Sequence, residues 1–286
     1  MTVTGKGRIA GVLGWPVGHS LSPVLHGHWL EEYGIDGAVV PLAAAPWDFA
    51  AVIDGLRRGG FVGVNVTVPN KESAFALAHG NDDAAQAAGA ANLLLFQGGR
   101  IEGRNTDTYG LHAALEESGG TLNGADAVLL GAGGAARGAV LALARLGAGR
   151  IHLLNRDVHR ARGLAASLQP QVKAQIVVGG LDAWDTAASS AALVVNATAA
   201  GMNGNAPLAI DLGILPKGAW VCDMVYSPLE TSLLKDAAAR GLKTIDGLGM
   251  LMHQAVPSFE AFFGVRPRVT PALRAVLVEA LAARGQ

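Results

Sequence analysis

A glycine-rich turn lies near the middle of the chain, and it restricts the possible fold more than any other feature. Ala127-Val128-Leu129-Leu130 reads as a buried strand. It runs into Gly131-Ala132-Gly133-Gly134-Ala135-Ala136 and then into an apolar, helix-like stretch over 140–146. This is the GxGxxG/A pattern, in which the first glycine permits a tight turn and the second lets backbone approach a pyrophosphate. The small third residue, here Ala136, lets helix and strand pack closely. The helix N-terminus then offers unpaired N–H groups and partial positive charge to phosphates. Such turns also occur without a ligand, so the strand-turn-helix context carries much of the weight. More than a hundred residues precede the turn. They must build something else, and the expectation is the substrate half of a two-domain enzyme.

At 286 residues the chain is long enough for about two domains. Half of it is hydrophobic and 16% is charged, but much of the apolar content is alanine. No run of about 18 apolar residues predicts a membrane span, and the first residues contain no apolar leader core. One cysteine, Cys222, excludes an internal disulfide framework and fits a reducing cytoplasm. The net charge of −1 and the lack of basic blocks argue against nucleic-acid binding. The eight histidines show no metal-ligand spacing, so no metal is expected.

Over the first hundred residues strands and helices alternate: strand 8–15, helix 22–33, strand 37–43, helix 47–58, strand 61–68 and a short helix after Asn70. A hairpin over 91–96 and 100–104 turns at Gly98-Gly99. The prediction is a mixed sheet with helices. After a connecting helix over 106–118, strands at 127–130, 150–154, 174–178, 192–196 and 219–225 alternate with helices at 134–147 and 158–168. This is the pattern of a Rossmann-like, doubly wound parallel sheet. A helix over 231–240 follows, then two amphipathic helices, 248–263 and 271–283, expected to return to the N-terminal domain. The expected division is a substrate-binding catalytic domain over 1–107, a nucleotide domain over 108–245 and returning helices over 246–286.

Four further segments carry chemistry. In Gly18-His19-Ser20-Leu21-Ser22-Pro23, Ser22 is placed to cap the helix that Pro23 begins, but capping leaves Ser20 unexplained. In Asn65-Val66-Thr67-Val68-Pro69-Asn70-Lys71, Pro69 ends a strand and Asn70 is placed to cap a helix. Lys71 falls in the first helical turn, where the dipole disfavours a cation, so it is either a surface lysine or one poised to transfer a proton. Asp107, in Asn105-Thr106-Asp107, is either a cap or an anion that orients an ammonium. In Asn155-Arg156-Asp157, at the end of the second Rossmann strand, an acid would bind a ribose 2′-hydroxyl, whereas an arginine accommodates a 2′-phosphate. Arg156 stands there and Arg160 lies in the next helical turn. Asp157 is most simply the helix cap.

Together these segments resemble the shikimate dehydrogenase family over nearly the whole chain. The resemblance also rests on Ala88-Gly89-Ala90-Ala91-Asn92, Asn196-Ala197-Thr198, Asp223-Met224-Val225-Tyr226 and Asp246-Gly247-Leu248-Gly249-Met250-Leu251-x-x-Gln254. It implies reversible NADPH-dependent reduction of 3-dehydroshikimate to shikimate in aromatic amino-acid biosynthesis. Lys71 and Asp107 would be the catalytic pair and also touch substrate. Ser20, Ser22, Thr67, Asn92, Tyr226 and Gln254 would complete the substrate site. Gly131, Ala132, Gly133, Gly134 and Ala135 would hold the pyrophosphate of NADP(H). Asn155, Arg156 and Arg160 would hold its 2′-phosphate, and Met224, Gly247 and Met250 would line the nicotinamide.

Two departures stand out. Ala91-Asn92-Leu93 replaces the family's common Val-Asn-Thr, which removes a hydroxyl beside Asn92. Asp157 replaces its common threonine, which leaves strict NADP preference open. The alternatives are a quinate/shikimate dehydrogenase with relaxed NAD/NADP use and a non-catalytic shikimate- and nucleotide-binding regulator. A cytoplasmic monomer or homodimer acting on a small molecule, without nucleic-acid or membrane partners, is expected.

Overall fold

Two units account for the chain in this computed structural model, which describes residues 3–202 and 204–284. One runs to Thr106 and resumes at Gln254; the other is Asp107–His253.

The first unit contains β1 (Arg8–Gly14), α1 (Ser22–Glu32), β2 (Gly37–Ala43), α2 (Phe49–Arg58), β3 (Gly63–Val66), α3 (Lys71–Leu77), β4 (Gly80–Asn81), α4 (Asp83–Ala88), β5 (Leu93–Gln97) and β6 (Arg100–Arg104). Among the described residues its strands lie in the order β2-β1-β3-β5-β6-β4. β1 pairs parallel with β2 and β3, while β5 runs antiparallel to both β3 and β6. The sheet is therefore mixed, as the hairpin signal at Gly98-Gly99 requires. One face packs on α2 and α3 through Leu13, Phe49, Ile53, Val64, Val66, Ala74 and Leu94.

The second unit contains α5 (Asp107–Glu117), β7 (Asp126–Leu130), α6 (Gly134–Arg145), β8 (Arg150–Leu154), α7 (Val158–Leu168), β9 (Gln175–Gly179), α8 (Trp184–Ala188), β10 (Ala191–Asn196), β11 (Trp220–Asp223), α9 (Ser232–Ala239) and β12 (Lys243–Ile245). The sheet order is β12-β11-β10-β7-β8-β9, every neighbour parallel. Counted within the unit, this is the 3-2-1-4-5-6 order of the dinucleotide-binding fold. Its central strands are buried almost throughout, which is why they read as unbroken apolar runs. β12 is absent from the sequence-based expectation because it is only three residues long, mostly exposed, and carries no alternation. β11 ends at Asp223, two residues before its expected end.

α10 (Gly247–Phe263) and α11 (Pro271–Ala282) close the chain. From Gln254 onward they belong with the first unit. A Cβ at Gly63 would come within 2.8 Å of Phe262 Cε1, and one at Gly37 within 2.9 Å of Phe263 Cε1. Bare glycine backbone on β2 and β3 thus lets two phenyl rings of α10 lie on the sheet. Phe259 packs edge-on to Trp29 of α1 at 5.3 Å, and the Trp29 indole N–H donates to the Arg268 carbonyl at 3.0 Å.

His26 sits in this aromatic cluster, 1% exposed, with its ring 13° from coplanar with Phe259. Its Nδ1 is buried and has no hydrogen-bond partner. Burial pushes its pKa down to about 3. The unfolded chain binds a proton near pH 6.5 that the folded chain refuses. Stability should therefore be complete above about pH 6.5 and fall as pH drops from there toward 3. Replacing His26 by Leu should remove this component. Between about pH 7 and pH 5 the wild type should lose about 2 kcal/mol more than the variant, measured by urea unfolding. Identical losses in the two proteins would contradict the assignment.

Candidate active site

The carboxyl end of β3, the start of β5 and the start of α3 converge on Asn92. The Ala91 N–H donates to the Lys71 carbonyl at 2.9 Å, the Asn92 N–H to the Arg104 carbonyl at 3.0 Å, and the Val66 N–H to the Asn92 carbonyl at 2.8 Å. Backbone pairing alone therefore gathers Thr67, Lys71, Asn92 and the Asn105-Thr106 segment at one end of the sheet. Asn92 is 3% exposed. Its Oδ1 accepts the Thr106 N–H at 2.8 Å. Its Nδ2 donates to Thr106 Oγ1 at 3.0 Å and to Gln254 Oε1 at 3.2 Å. Beneath it, the buried Asn65 donates to the Asn92 carbonyl at 3.3 Å and to Ser258 Oγ at 2.7 Å.

This network adds Asn65, Thr106 and Ser258 to the residues expected from sequence. The available signal was polarity in the wrong place: Asn65 lies in a strand buried at every position. A buried amide without partners costs about 1–3 kcal/mol, so each such residue implies a bonded neighbour.

In the same unit several polar groups remain unengaged. Thr67 Oγ1, Ser22 Oγ and Gln254 Nε2 make no hydrogen bond to the described residues. Ser22 is nevertheless only 6% exposed. Its expected role as a helix cap does not hold. The helix begins at Ser22 itself, Leu21 occupies the cap position, and no side chain caps it. Ser20 Oγ instead accepts the Ser22 N–H at 3.3 Å. The turn is held from outside by Arg284, which donates to the His19 and Ser20 carbonyls at 2.7 and 3.0 Å. Asn70 does not cap α3 either; its Nδ2 reaches the Ala44 carbonyl at 3.0 Å. For Asn70 a tertiary partner outcompetes the local cap, whereas at Ser22 the helix starts one residue earlier than expected and its hydroxyl is left free.

In the second unit the carboxyl ends of the parallel strands carry the nucleotide-type residues. Gly131 has φ +110°, a region L side chains rarely adopt, and a Cβ there would meet Thr198 Cγ2 at 2.9 Å and the Ala197 backbone at 3.2 Å. The loops after β7 and β10 therefore touch at the point where strand order reverses, the usual crevice for a dinucleotide. Gly133 caps α6, and nothing lies within 4 Å of where its Cβ would be. That open backbone and the α6 N-terminus fit a pyrophosphate. Arg156, just beyond β8, and Arg160, in the first turn of α7, are exposed, and neither guanidinium has a partner among the described residues. Asp157 caps α7, accepting the Arg160 N–H at 3.2 Å, which directs its carboxylate at the helix. Asn155 Nδ2 donates to the Asp157 carbonyl at 2.8 Å.

Further along the same edge, Asp223 is fully buried. It accepts from Asn196 Nδ2, Thr231 Oγ1 and the Val225 N–H at 2.9, 2.7 and 3.0 Å. Burial pushes its carboxyl up, and these three donors oppose the shift. The Met224 N–H donates to the Asn196 carbonyl at 3.0 Å, and the Gly247 position lies hard against the Met224 backbone. Met224 and Gly247 are thus neighbours, with Met250 one turn along α10 and Tyr226 just beyond β11. Asp107, 4% exposed, opens α5 and packs against Gly138 of α6, where a Cβ would meet Asp107 Cβ at 3.1 Å.

Known proteins of the same kind bear directly on this arrangement. Residues 12–94 match the shikimate dehydrogenase substrate binding domain, 113–203 the shikimate / quinate 5-dehydrogenase family, and 247–277 the shikimate 5′-dehydrogenase C-terminal domain. The shikimate dehydrogenase (NADP(+)) of Mesorhizobium japonicum is 49% identical over 268 residues, covering 93% of this chain and 94% of that protein. The shikimate 5-dehydrogenase of Thermus thermophilus, solved with NADP(H) and shikimate, superposes with a TM-score of 0.83 at 34% identity, covering 96% of this chain and 99% of that one. The quinate dehydrogenase of Corynebacterium glutamicum, solved with NAD, gives 0.88 at 30% identity, with the same coverage.

The two glycines of the turn should separate by measurement. Gly131→Ala forces a strained φ and a clash, so it should lower the melting temperature and nucleotide affinity together. Gly133→Ala has room in the protein and φ −96°, so it should leave the melting temperature near wild type while weakening nucleotide binding by roughly tenfold or more. Calorimetric melting and nucleotide titration check both. Equal melting losses would contradict the reading of Gly133 as a ligand cradle.

Proposed function

The chain belongs to the shikimate dehydrogenase family, and on that footing we propose that it catalyses the reversible NADPH-dependent reduction of 3-dehydroshikimate to shikimate. The observation that carries the residue-level reading is the pairing of two sets of unengaged groups. One is a hydroxyl-and-amide cluster around Asn92, suited to a polyol. The other is an open glycine turn with two unpaired arginines, suited to a 2′-phosphorylated dinucleotide. We assign the first unit, with the helices from Gln254 onward, to substrate and the second to cofactor.

When bound, the reduced nicotinamide supplies a hydride. The residues of the chain do the rest. Lys71, carried on the first turn of α3, donates a proton to the ring oxygen as charge gathers there and removes it in the reverse direction. Asp107, the other member of the catalytic pair, accepts a hydrogen bond from a ring hydroxyl. Ser20, Ser22, Thr67, Asn92, Tyr226 and Gln254 bind the remaining hydroxyls and the carboxylate. Gly131 to Ala135 hold the pyrophosphate; Asn155, Arg156 and Arg160 hold the 2′-phosphate; Met224, Gly247 and Met250 line the nicotinamide. The engagement of the Asp157 carboxylate by its own helix supports NADP over NAD, because it turns one of its oxygens toward the Arg160 N–H. No described helix is long and apolar enough to cross a membrane. The reading includes a cytoplasmic location, which the single, buried Cys222 supports, and a monomer or homodimer.

Two substitutions test the assignments. Lys71→Met should lower kcat by at least about 100-fold, the low end for acid–base catalysis, with folding retained. A near-normal kcat would remove Lys71 from the mechanism. Arg156→Ala should weaken NADP binding by roughly 1.5–3 kcal/mol, the range for hydrogen bonds to charged groups, and hardly change NAD binding. Equal losses for the two nucleotides would show that Arg156 does not read the 2′-phosphate.

A further inference from the structure

We propose that Thr106 is a positioning residue that fixes which face of the Gln254 amide meets the substrate, and so makes this position select for a hydrogen-bond acceptor. The proposal rests on the assignment of Gln254 to the substrate site.

One group in this network can act in only one way. The Thr106 main-chain N–H can donate but not accept, and it lies 2.8 Å from the Asn92 side chain. The facing atom of that amide must therefore be its oxygen. The NH2 of Asn92 then points the other way, toward Gln254 at 3.2 Å. Two amide NH2 groups cannot face each other, so Gln254 presents Oε1 inward. The Thr106 hydroxyl reinforces the choice. Its Oγ1 accepts from Asn92 Nδ2 at 3.0 Å, and its single hydrogen is shared between Gln254 Oε1 and Asn92 Oδ1, each 3.3 Å away. With Oε1 held by two donors, Gln254 Nε2 is turned outward and has no partner among the described residues.

Orientation thus passes from a backbone N–H, through Asn92, to Gln254. The consequence is chemical. A flipped Gln254 would offer an acceptor and favour a ligand donor; the observed one offers two N–H donors and favours a lone pair, such as a hydroxyl oxygen or a carboxylate. Thr106 is 4% exposed and is not itself offered to the ligand. The buried Asn65–Ser258 pair holds the Asn92 backbone, so the amide pivots on a fixed point.

The test uses the full-length protein with NADP+. Thr106→Val keeps the main-chain N–H and nearly the shape but removes the hydroxyl. It should raise the shikimate KM and the shikimate Kd by calorimetry about 2- to 15-fold, the loss expected for one neutral hydrogen bond. The KM for NADP+ should not move, and Thr106→Ser should restore wild-type values. Thr106→Ala reports the same loss if the valine variant is insoluble. A double-mutant cycle with Gln254→Leu then separates positioning from a general structural effect. Once Gln254 is gone, Thr106→Val should change shikimate affinity by less than about twofold. If the two losses simply multiply while Gln254→Leu alone weakens shikimate, Gln254 binds substrate but Thr106 does not act through it, and the proposal falls. If Gln254→Leu leaves shikimate affinity unchanged, the substrate-site assignment of Gln254 falls, and the proposal with it.

Discussion

The side chain of Asn92 joins pieces of chain that are remote in sequence, and much of the first unit's polar architecture follows from it. It bonds to Thr106, fourteen residues on, and to Gln254, on the helix that returns from the far end of the chain. Its backbone joins β3 to the end of β6 and leans on Asn65, which in turn holds Ser258. A sheet buried on its α2 and α3 face carries polar groups at a strand end where they satisfy one another or stay open to water or a ligand. Asn92, Asn65 and Ser258 take the first course. Thr67, Ser22 and the outer face of Gln254 are left for the second.

The second unit meets the same constraint with backbone rather than side chains. At the ends of parallel strands, Gly131 takes a conformation open to few other residues and brings the β7 and β10 loops into contact. The result is a helix N-terminus with unoccupied N–H groups, at the place where strand order reverses. Asp223 and Asn196 bury their polar atoms against each other, with Thr231 as a further partner of Asp223. The unpaired charges nearby, Arg156 and Arg160, stand at the surface, where an anion could reach them.

Sequence reading reached the large elements because their signals are long and redundant. The glycine turn, the buried runs of β7, β8 and β10, and the Gly98-Gly99 hairpin were all legible. Helix 158–168 and strand 37–43 match to the residue. Short elements were not: β4 has two residues, β12 three, and neither carries a period. Local rules also failed where distant chain intervenes. Asn70 sits where a cap belongs, yet its amide turns to the Ala44 carbonyl, 26 residues away. Among the candidate residues, charged side chains at unusual places, such as Lys71, Asp107 and Arg156, stood out. Thr106 did not, because its importance lies in a contact with Gln254, 148 residues away, that no local pattern encodes.

The central claim is a pairing of substrate and cofactor, and one set of initial rates tests it. Purified protein would be assayed with shikimate or quinate, each with NADP+ or NAD+. The account predicts the highest kcat/KM for shikimate with NADP+, exceeding shikimate with NAD+ by about tenfold or more, the factor expected from charge-assisted bonds to the 2′-phosphate. Faster turnover of quinate, or a preference for NAD+ with either substrate, would contradict it.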